Sequence, residues 1–517
     1  MRELATCELA IIIANASFKS VPRPATRCDA PQLTGQKPVK TDIRTDVLIL
    51  GAGSAGLYAL REVRRAQRDF LLVDPGPLGT TCARVGCMPS KVALHAGALW
   101  RSRLALREIG TTGVEALALD RARTWQNLRR LRDQFAGSAT DKARSAAGDR
   151  LIQARARFLA PDRVEIEGPA GTQHIRANSV VIATGSRPVL PGWLEPVRRH
   201  TVTTDEVFEL DTLPASVGVL GLGAIGLELG LALSRLGVRV IGADIAPALA
   251  GTADPEVAAR ALELARHEMT LWLETETRLE AMTNGVLMQA HGQSVQVDLL
   301  LAALGRRPNV DGLNLVEAGF PTDARGLPVF DPESLQIGDL PVFIAGDANA
   351  DRPLMHEASD EGAIAGFNAS RPARPARFQR KVSLAIAFTD PDLASVGARF
   401  DQLDPEAILI GTVTGQSNGR ARILSAESSL VRLYAERDSG RLLGASMVAS
   451  GGEHMAHLLA WAIQRGETAQ SLLEMPFYHP VIEEMLQTAL QDIVRQMPQA
   501  QAWPWGLQAI DPAGAAS

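Results

Sequence analysis

The stretch that decides the fold is Asp46-Val47-Leu48-Ile49-Leu50-Gly51-Ala52-Gly53-Ser54-Ala55-Gly56, a short apolar run that leads straight into a glycine-rich turn. The run predicts a buried strand, and the apolar segment after the turn predicts a helix. In such a unit, Gly51 permits the tight turn and Gly53 lets the backbone approach a pyrophosphate. Gly56 lets the helix pack closely on the strand. The helix N-terminus supplies partial positive charge for the phosphates. The stretch therefore predicts a dinucleotide-binding unit.

The same arrangement returns at Val217-Gly218-Val219-Leu220, which runs into the second glycine turn, GLGAIG at residues 221–226. In both units a second predicted strand ends in an acid, Asp74 or Asp244, 23 positions after the first glycine. We expect these acids to accept hydrogen bonds from ribose hydroxyls. Two structural turns with coincidental acids are the alternative, since one glycine pattern alone is weak evidence. The duplication favours two nucleotide-binding units.

The second acid also indicates which pyridine nucleotide is preferred. The carboxylate of Asp244 repels a 2′-phosphate, and residues 245–249 contain no arginine to receive one. NAD is therefore favoured over NADP.

Length and composition indicate the class of protein and its surroundings. At 517 residues the chain is long enough for two or three domains, and 46 % apolar with 21 % charged residues is ordinary for a globular protein. A net charge of −5 gives no broad basic surface for nucleic acid. With 4 cysteines and no apolar run near the roughly 18 residues that span a bilayer, we expect a cytoplasmic protein without a membrane partner.

A pair of cysteines carries the sharpest chemical signal. The segment Gly79-Thr80-Thr81-Cys82-Ala83-Arg84-Val85-Gly86-Cys87-Met88-Pro89-Ser90-Lys91 follows the first acid. Two thiols this close can form a small disulfide loop, and Pro89 suits the first turn of a helix whose N-terminus would stabilise a thiolate. Two inert buried cysteines or half of a metal site are the alternatives. No second cysteine pair or cysteine/histidine cluster accompanies the motif in the sequence, so no metal is expected.

These motifs resemble those of the class I pyridine nucleotide-disulfide oxidoreductases. Besides the cysteine motif and the two glycine turns, the chain carries the Ala183-Thr184-Gly185 turn, the Gly305-Arg306-Arg307-Pro308-Asn309 segment and the Gly346-Asp347 pair, all in the family's order. The resemblance covers residues 45–497. It implies FAD at the first glycine turn and NAD at the second.

The resemblance also implies a role for each reacting group. Cys87 would lie beside the flavin, and Cys82 would exchange with the sulfur of the substrate. Lys91 would lie near the flavin and pair with Glu228. In the C-terminal segment from Tyr478 to Glu484, His479 would be the acid/base, oriented by Glu484. This histidine enters the site of the other subunit in the family, which implies a homodimer. The residues expected to bind the cofactors are Gly51, Gly53, Gly56, Asp74, Lys91, Thr184, Gly185, Asp347 and Met355 for FAD, and Gly221, Gly223, Gly226, Asp244 and Gly305 for NAD.

The expected fold class is α/β, with two Rossmann-like dinucleotide-binding domains and a C-terminal α+β dimerisation domain. The expected order along the chain is an unstructured N-terminal extension at 1–44, the FAD-binding domain at 45–195 and 305–372, the NAD-binding domain at 196–304, the dimerisation domain at 373–497, and a tail at 498–517.

The substrate is the least defined part of the resemblance. Thr80, Arg84, Phe477 and Val481 stand where the family usually has other residues, and they lie in or beside the two reactive motifs. No cysteine follows Cys87, which disfavours mercuric reductases, and the absence of arginine after the second acid disfavours glutathione reductases. Oxidation of a dihydrolipoyl dithiol, small or carried on a protein, is the leading interpretation. An NAD(P)H-dependent reductase of another small disulfide and a non-catalytic flavoprotein subunit for docking or redox sensing remain open.

Overall fold

The computed structural model describes residues 42–498, 504–508 and 510. Nearly all of the predicted extension at 1–44 lies outside the described residues, and strand β1 (Asp42–Leu50) begins within its last positions. Strand β1 is buried over residues 47–50 because it lies between two parallel partners, β2 (Phe70–Val73) and β6 (Gly171–Ile182). The first glycine turn therefore follows a central strand of the sheet.

The first sheet has the strand order β3-β2-β1-β6-β5-β4, and β17 also pairs with β6. Its other strands are β3 (Leu151–Ile152), β4 (Arg155–Ala160), β5 (Arg163–Gly168) and β17 (Val342–Ile344). The long strand β6 serves two partners, because β5 runs antiparallel to its first half and β17 runs parallel to its last residues. Strand β17 thereby brings a distant part of the chain to the edge where the first glycine turn begins.

Two helices pack against each other on one face of this sheet, α1 (Ser54–Arg65) and α7 (Met355–Ala369). Their approach requires glycine on α7, because a Cβ atom at Gly362 would lie 2.2 Å from the carbonyl oxygen of Ala55. Three more helices follow the first acid along the chain: α2 (Thr81–Val85), α3 (Cys87–Ser102) and α4 (Arg121–Ala147).

A second nucleotide-binding unit has a parallel sheet in the order β11-β10-β9-β15-β8. Its strands are β8 (Thr201–Thr203), β9 (Ser216–Leu220), β10 (Arg239–Ala243), β11 (Thr270–Trp272) and β15 (Leu299–Ala302). Its helices are α5 (Ala224–Arg235) and α6 (Pro255–Arg266). An antiparallel meander of β12 (Arg278–Met282), β13 (Gly285–Ala290) and β14 (Gln293–Val297) accompanies it. A two-stranded ribbon of β7 (Ser186–Pro188) and β16 (Arg306–Pro308) joins the two units.

The C-terminal part is a separate antiparallel sheet in the order β18-β19-β22-β21-β20. Its strands are β18 (Leu384–Ala387), β19 (Asp392–Gly397), β20 (Ile408–Thr414), β21 (Leu430–Glu436) and β22 (Leu442–Ala449). Its helices are α8 (Gly419–Ile423), α9 (Gly452–Arg465), α10 (Ala469–Leu473) and α11 (Glu484–Gln496), of which α9, α10 and α11 share one apolar core with the sheet. These sheets confirm the predicted α/β class with two Rossmann-like units followed by an α+β part.

Candidate redox-active site

Both glycine turns have the geometry that a bound pyrophosphate needs. A Cβ atom at Gly51 would lie 2.2 Å from the carbonyl oxygen of Ala183, and one at Gly221 would lie 2.5 Å from that of Ala303. Each turn therefore presses against the neighbouring strand end. At Gly53 and Gly223, by contrast, no atom lies within 4 Å of an added Cβ, so the turn is open on its outer side. The remaining predicted glycines, Gly56 and Gly226, pack against the first glycine of their own turn.

Each acid after a turn braces that turn. Asp74 accepts hydrogen bonds from the backbone N–H groups of Ala52 at 2.6 Å and Gly76 at 2.6 Å. Asp244 accepts from Leu222 at 2.6 Å and Ala246 at 2.9 Å in the same pattern. The carboxylate oxygens keep further lone pairs for a ribose, since each can accept more than one hydrogen bond. The bracing role was not foreseen from the sequence.

A cavity of about 450 Å³ lies where the first turn, the cysteine motif and the Gly346-Asp347 pair meet. Among the predicted residues, those that line it are Gly53, Cys82, Cys87, Lys91, Gly185, Glu228, Asp347 and Met355. The walls are mostly apolar, with Phe388 and Leu384 of the C-terminal part on one side. Gly305 lies in the short connection between β15 and the ribbon strand β16, and does not line this cavity.

Cys82 lies in α2, and Cys87 is the first residue of α3. The two thiols therefore face each other across Gly86, where α2 ends and α3 begins. No disulfide bond joins Cys82 and Cys87 in this structure. The hydrogen bond from Cys82, supported by the charge of Lys91, lowers the pKa of Cys87 to about 7 although burial opposes it. The same hydrogen bond and burial raise the pKa of Cys82. The thiolate is therefore favoured on Cys87 rather than on Cys82.

Lys91 and Glu228 form a tight ion pair next to the thiols. The Nζ atom of Lys91 lies 2.8 Å and 2.7 Å from the two carboxylate oxygens of Glu228. Lys91 comes from α3 and the buried Glu228 from α5, so the pair joins the two nucleotide-binding units. The C-terminal part contributes Phe388, whose ring centroid lies 4.5 Å from Nζ and whose backbone N–H donates to Glu228 at 3.0 Å. Sequence reasoning missed Phe388, because a backbone donor leaves no signature.

Asp347 is held by a chain of polar groups. The Ser186 hydroxyl donates to Asp347 at 2.6 Å and accepts from Nε of Arg306 at 2.9 Å, and Arg306 also pairs with Asp205 at 2.8 Å. Sequence reasoning missed Ser186 and Asp205, although Ser186 directly follows the predicted turn at residues 183–185. The hydroxyl of Thr184 in that turn is buried and has no hydrogen-bond partner among the described residues.

These features fit FAD. The open backbone at Gly53 and the oriented Asp347 carboxylate line a cavity that also contains Cys87, and the unpaired Thr184 hydroxyl belongs to the turn whose Gly185 lines it. A mostly apolar cavity with a few convergent polar groups is typical of a cofactor site.

His479 and Glu484 form a second constellation away from this cavity. Nδ1 of His479 lies 2.9 Å from Oε1 of Glu484, and the other carboxylate oxygen accepts from the backbone of Val481 at 3.1 Å. The hydrogen bond to His479 lowers the pKa of Glu484. The imidazole is 77 % exposed and does not line the cavity of its own chain. It is therefore available to a neighbouring molecule.

The fold and the site together define a flavin-dependent disulfide oxidoreductase. The family model described as pyridine nucleotide-disulphide oxidoreductase matches residues 45–362, and the model of its dimerisation domain matches residues 384–490. The chain belongs to this family, whose members use FAD and NAD. The predicted family, enzyme class and cofactors are thereby confirmed, and the dimerisation domain supports a homodimer.

Curated relatives match over most of the chain. A dihydrolipoyl dehydrogenase of Haloferax volcanii is 30 % identical over 87 % of this chain and 97 % of its own length. Dihydrolipoyl dehydrogenase 3 of Haloarcula marismortui is 27 % identical over 87 % of this chain and 96 % of its own length.

Solved structures show the same fold. The protein LpdA of Mycobacterium tuberculosis has a TM-score of 0.76 at 22 % identity, covering 88 % of this chain and 100 % of its own. A HOCl-induced flavoprotein disulfide reductase of Escherichia coli, solved as a Cu(II) complex, has a TM-score of 0.75 at 21 % identity, covering 87 % of this chain and 99 % of its own.

Within the described part of the present chain, we find no cluster of side chains suited to a metal ion and no helix with the length and hydrophobicity to cross a bilayer.

Proposed function

We propose that this protein oxidises a dihydrolipoyl dithiol with NAD through the Cys82–Cys87 pair and FAD. The observation that carries the proposal is the asymmetry of the two thiols at the end of the cavity. A thiolate at Cys87 and a protonated Cys82 are what a disulfide centre needs after it has accepted two electrons from a substrate. The dihydrolipoyl dehydrogenases among the relatives support the dithiol as substrate.

We assign FAD to residues 45–195 and 305–372, and NAD to residues 196–304. The groups that would hold FAD are the first glycine turn, Asp74, Thr184, Gly185, Asp347 and Met355, and those that would hold NAD are the second glycine turn, Asp244 and Gly305. When bound, FAD supplies the two-electron exchange that links the thiol pair to NAD.

Thiol exchange at the oxidised pair takes two steps. A substrate thiolate attacks the sulfur of Cys82, the disulfide bond breaks, and its electron pair leaves on Cys87 as a thiolate. The second substrate thiolate then attacks the substrate sulfur that is joined to Cys82, and Cys82 leaves and takes a proton. The substrate ends as a disulfide, having lost two electrons and two protons. The protein ends with a thiolate at Cys87 and a thiol at Cys82.

The Lys91–Glu228 pair fixes a positive charge beside the leaving thiolate. Glu228 holds the ammonium with both carboxylate oxygens, and the Phe388 ring covers it. The charge of Lys91 lowers the pKa of Cys87, whereas the charge of Glu228 raises it. We infer that Lys91, held in place by Glu228, favours the anionic form of Cys87 during exchange.

The partner subunit's His479 is the group that we assign to proton transfer. Its Nδ1 atom donates to Glu484, which leaves Nε2 to accept the proton of the substrate thiol. High exposure and distance from the cavity of its own chain support a role across the dimer. We place the enzyme in the cytoplasm, where thiols stay reduced.

A comparison of substrates tests the proposal. Turnover is measured with dihydrolipoamide and NAD, and with glutathione disulfide or CoA disulfide and NADH or NADPH. We expect dihydrolipoamide with NAD to give the highest kcat/KM, and Cys82→Ser to abolish it. Faster turnover with another disulfide would replace the substrate assignment, and absence of turnover with every dithiol and disulfide would favour a docking or redox-sensing flavoprotein.

A further inference from the structure

A buried carboxylate is hydrogen-bonded to the turn that contains Asp347. Glu361 of α7 is 0 % exposed, and its Oε2 atom accepts from the backbone N–H of Gly346 at 2.6 Å and from the Asn349 amide at 2.8 Å. Gly346 and Asn349 flank Asp347 on either side. The direction in which Asp347 points therefore depends on where the Glu361 carboxylate is held.

Arg380 holds that carboxylate. Its Nη2 atom lies 2.7 Å from Oε1 of Glu361 and 2.8 Å from Oε2 of Glu357, one helical turn earlier on α7. The Arg380 side chain is 10 % exposed, and Arg352 gives Glu357 a second partner at 3.2 Å. Two buried carboxylates one turn apart repel each other, and a buried charge without its partner is costly. The guanidinium of Arg380 thus compensates both acids.

Arg380 does not belong to either nucleotide-binding sheet. It lies in the segment between α7 and β18, which leads into the C-terminal part. The same segment is fixed on its other side by Val382, whose backbone N–H donates to the Gln464 side chain of α9 at 2.7 Å. The position of the guanidinium is therefore set from both the α7 side and the C-terminal part.

We propose that Arg380 is a positioning residue for the flavin, which acts through Glu361 on the turn at residues 346–349 and so on Asp347. This inference rests on the proposed FAD site. Without the guanidinium, Glu361 is left as an uncompensated buried acid that must take up a proton or turn toward solvent. Either change weakens its hold on the Gly346 N–H, and the Asp347 carboxylate loses the orientation in which it meets the ligand.

The test compares Arg380→Met with Arg377→Met as purified holoproteins. Arg377 is a matched control because it lies in the same segment, is 65 % exposed, and pairs with Asp331 and Glu333 rather than with the acids of α7. FAD release on dilution gives the dissociation constant, and the visible spectrum and reduction potential of the bound flavin report its surroundings. We expect Arg380→Met to bind FAD about tenfold more weakly, with a shifted spectrum and potential, and Arg377→Met to match the wild type.

A second variant covers the case in which Arg380→Met does not fold. Arg380→Lys keeps the charge but replaces a fork of donors by one ammonium, so we expect FAD binding to weaken severalfold. A merely structural role would lower the unfolding temperature while the folded fraction kept its FAD affinity and potential, and that result would overturn the inference. A wild-type protein that binds no FAD would instead refute the proposed function itself.

Discussion

Replacing Cys82 by alanine tests how the thiolate at Cys87 is stabilised. The hydrogen bond from Cys82 makes the largest contribution to lowering the pKa of Cys87 to about 7, ahead of the charge of Lys91. Alanine removes the donor and leaves Lys91 in place. The pKa of Cys87 is therefore expected to rise toward 9.0, the ordinary value for a thiol.

The size of the effect follows from these two values. At pH 7 a thiol with a pKa of about 7 is about half ionised, whereas one with a pKa of 9.0 is about 1 % ionised. The thiolate fraction at neutral pH is therefore expected to fall by about 50-fold, because burial and the charge of Lys91 act on the remaining thiol in opposite directions. Since the thiolate forms as pH rises through the pKa, the reactivity profile of the variant moves to higher pH.

Alkylation of the reduced protein measures this fraction, because only the thiolate reacts with iodoacetamide at a useful rate. The rate at Cys87 is followed by mass spectrometry as a function of pH. The control is Cys82→Ser, which keeps a hydroxyl donor and should shift the midpoint less than alanine does. Equal midpoints in the wild type and Cys82→Ala would refute the assignment of the hydrogen bond as the main cause.

Three further substitutions probe the rest of the molecule. Lys91→Met removes the cation beside Cys87 and should raise the pKa of that thiol, and an alkylation profile that does not move to higher pH would contradict this. Glu484→Gln leaves His479 without its carboxylate and should slow dithiol oxidation roughly 100-fold at unchanged FAD content. Undiminished turnover would argue against proton transfer by His479 with Glu484 as its partner. Asp254→Ala removes the side chain that caps α6 and binds buried Arg432 at 2.8 Å. This substitution should lower the free energy of unfolding by about 3 kcal/mol, measured by denaturant unfolding. A loss below about 1 kcal/mol would show that the contacts of Asp254 with α6 and Arg432 contribute little to stability.

The two glycine turns could be predicted because their requirements are local. Gly51 and Gly221 follow buried strands and meet the backbone of a neighbouring strand end, a constraint that only glycine satisfies. The structure places Asp74 and Asp244 directly after β2 and β10, where the local pattern put the ends of two strands. Their bonds to the turns were missed, since a backbone N–H is offered by almost every residue.

Contacts between distant parts of the chain could not be read from residue patterns. Lys91 and Glu228 are 137 positions apart, and only the family resemblance indicated that they pair. The contacts of Arg380 could not be predicted in this way, because a single arginine in an arginine-rich segment forms no recognisable pattern. His479 and Glu484 are five positions apart, and their hydrogen bond was implied by the motif.

The start of β1 shows a limit of apolar runs as strand predictors. Residues 42–45 are not a continuous apolar run, yet they pair in register with residues 174–177 of β6. They become a strand because β6 extends beyond the parallel core to meet β5. That extension is a property of the whole sheet.

The most direct test of the central claim is anaerobic titration of the FAD-loaded protein with dihydrolipoamide, followed at the flavin absorption band. The account predicts that the wild type is bleached and that NAD restores the band, whereas Cys82→Ser stays oxidised under the same conditions. Bleaching of Cys82→Ser at the wild-type rate, or no spectral change in the wild type, would contradict an electron path through the two thiols.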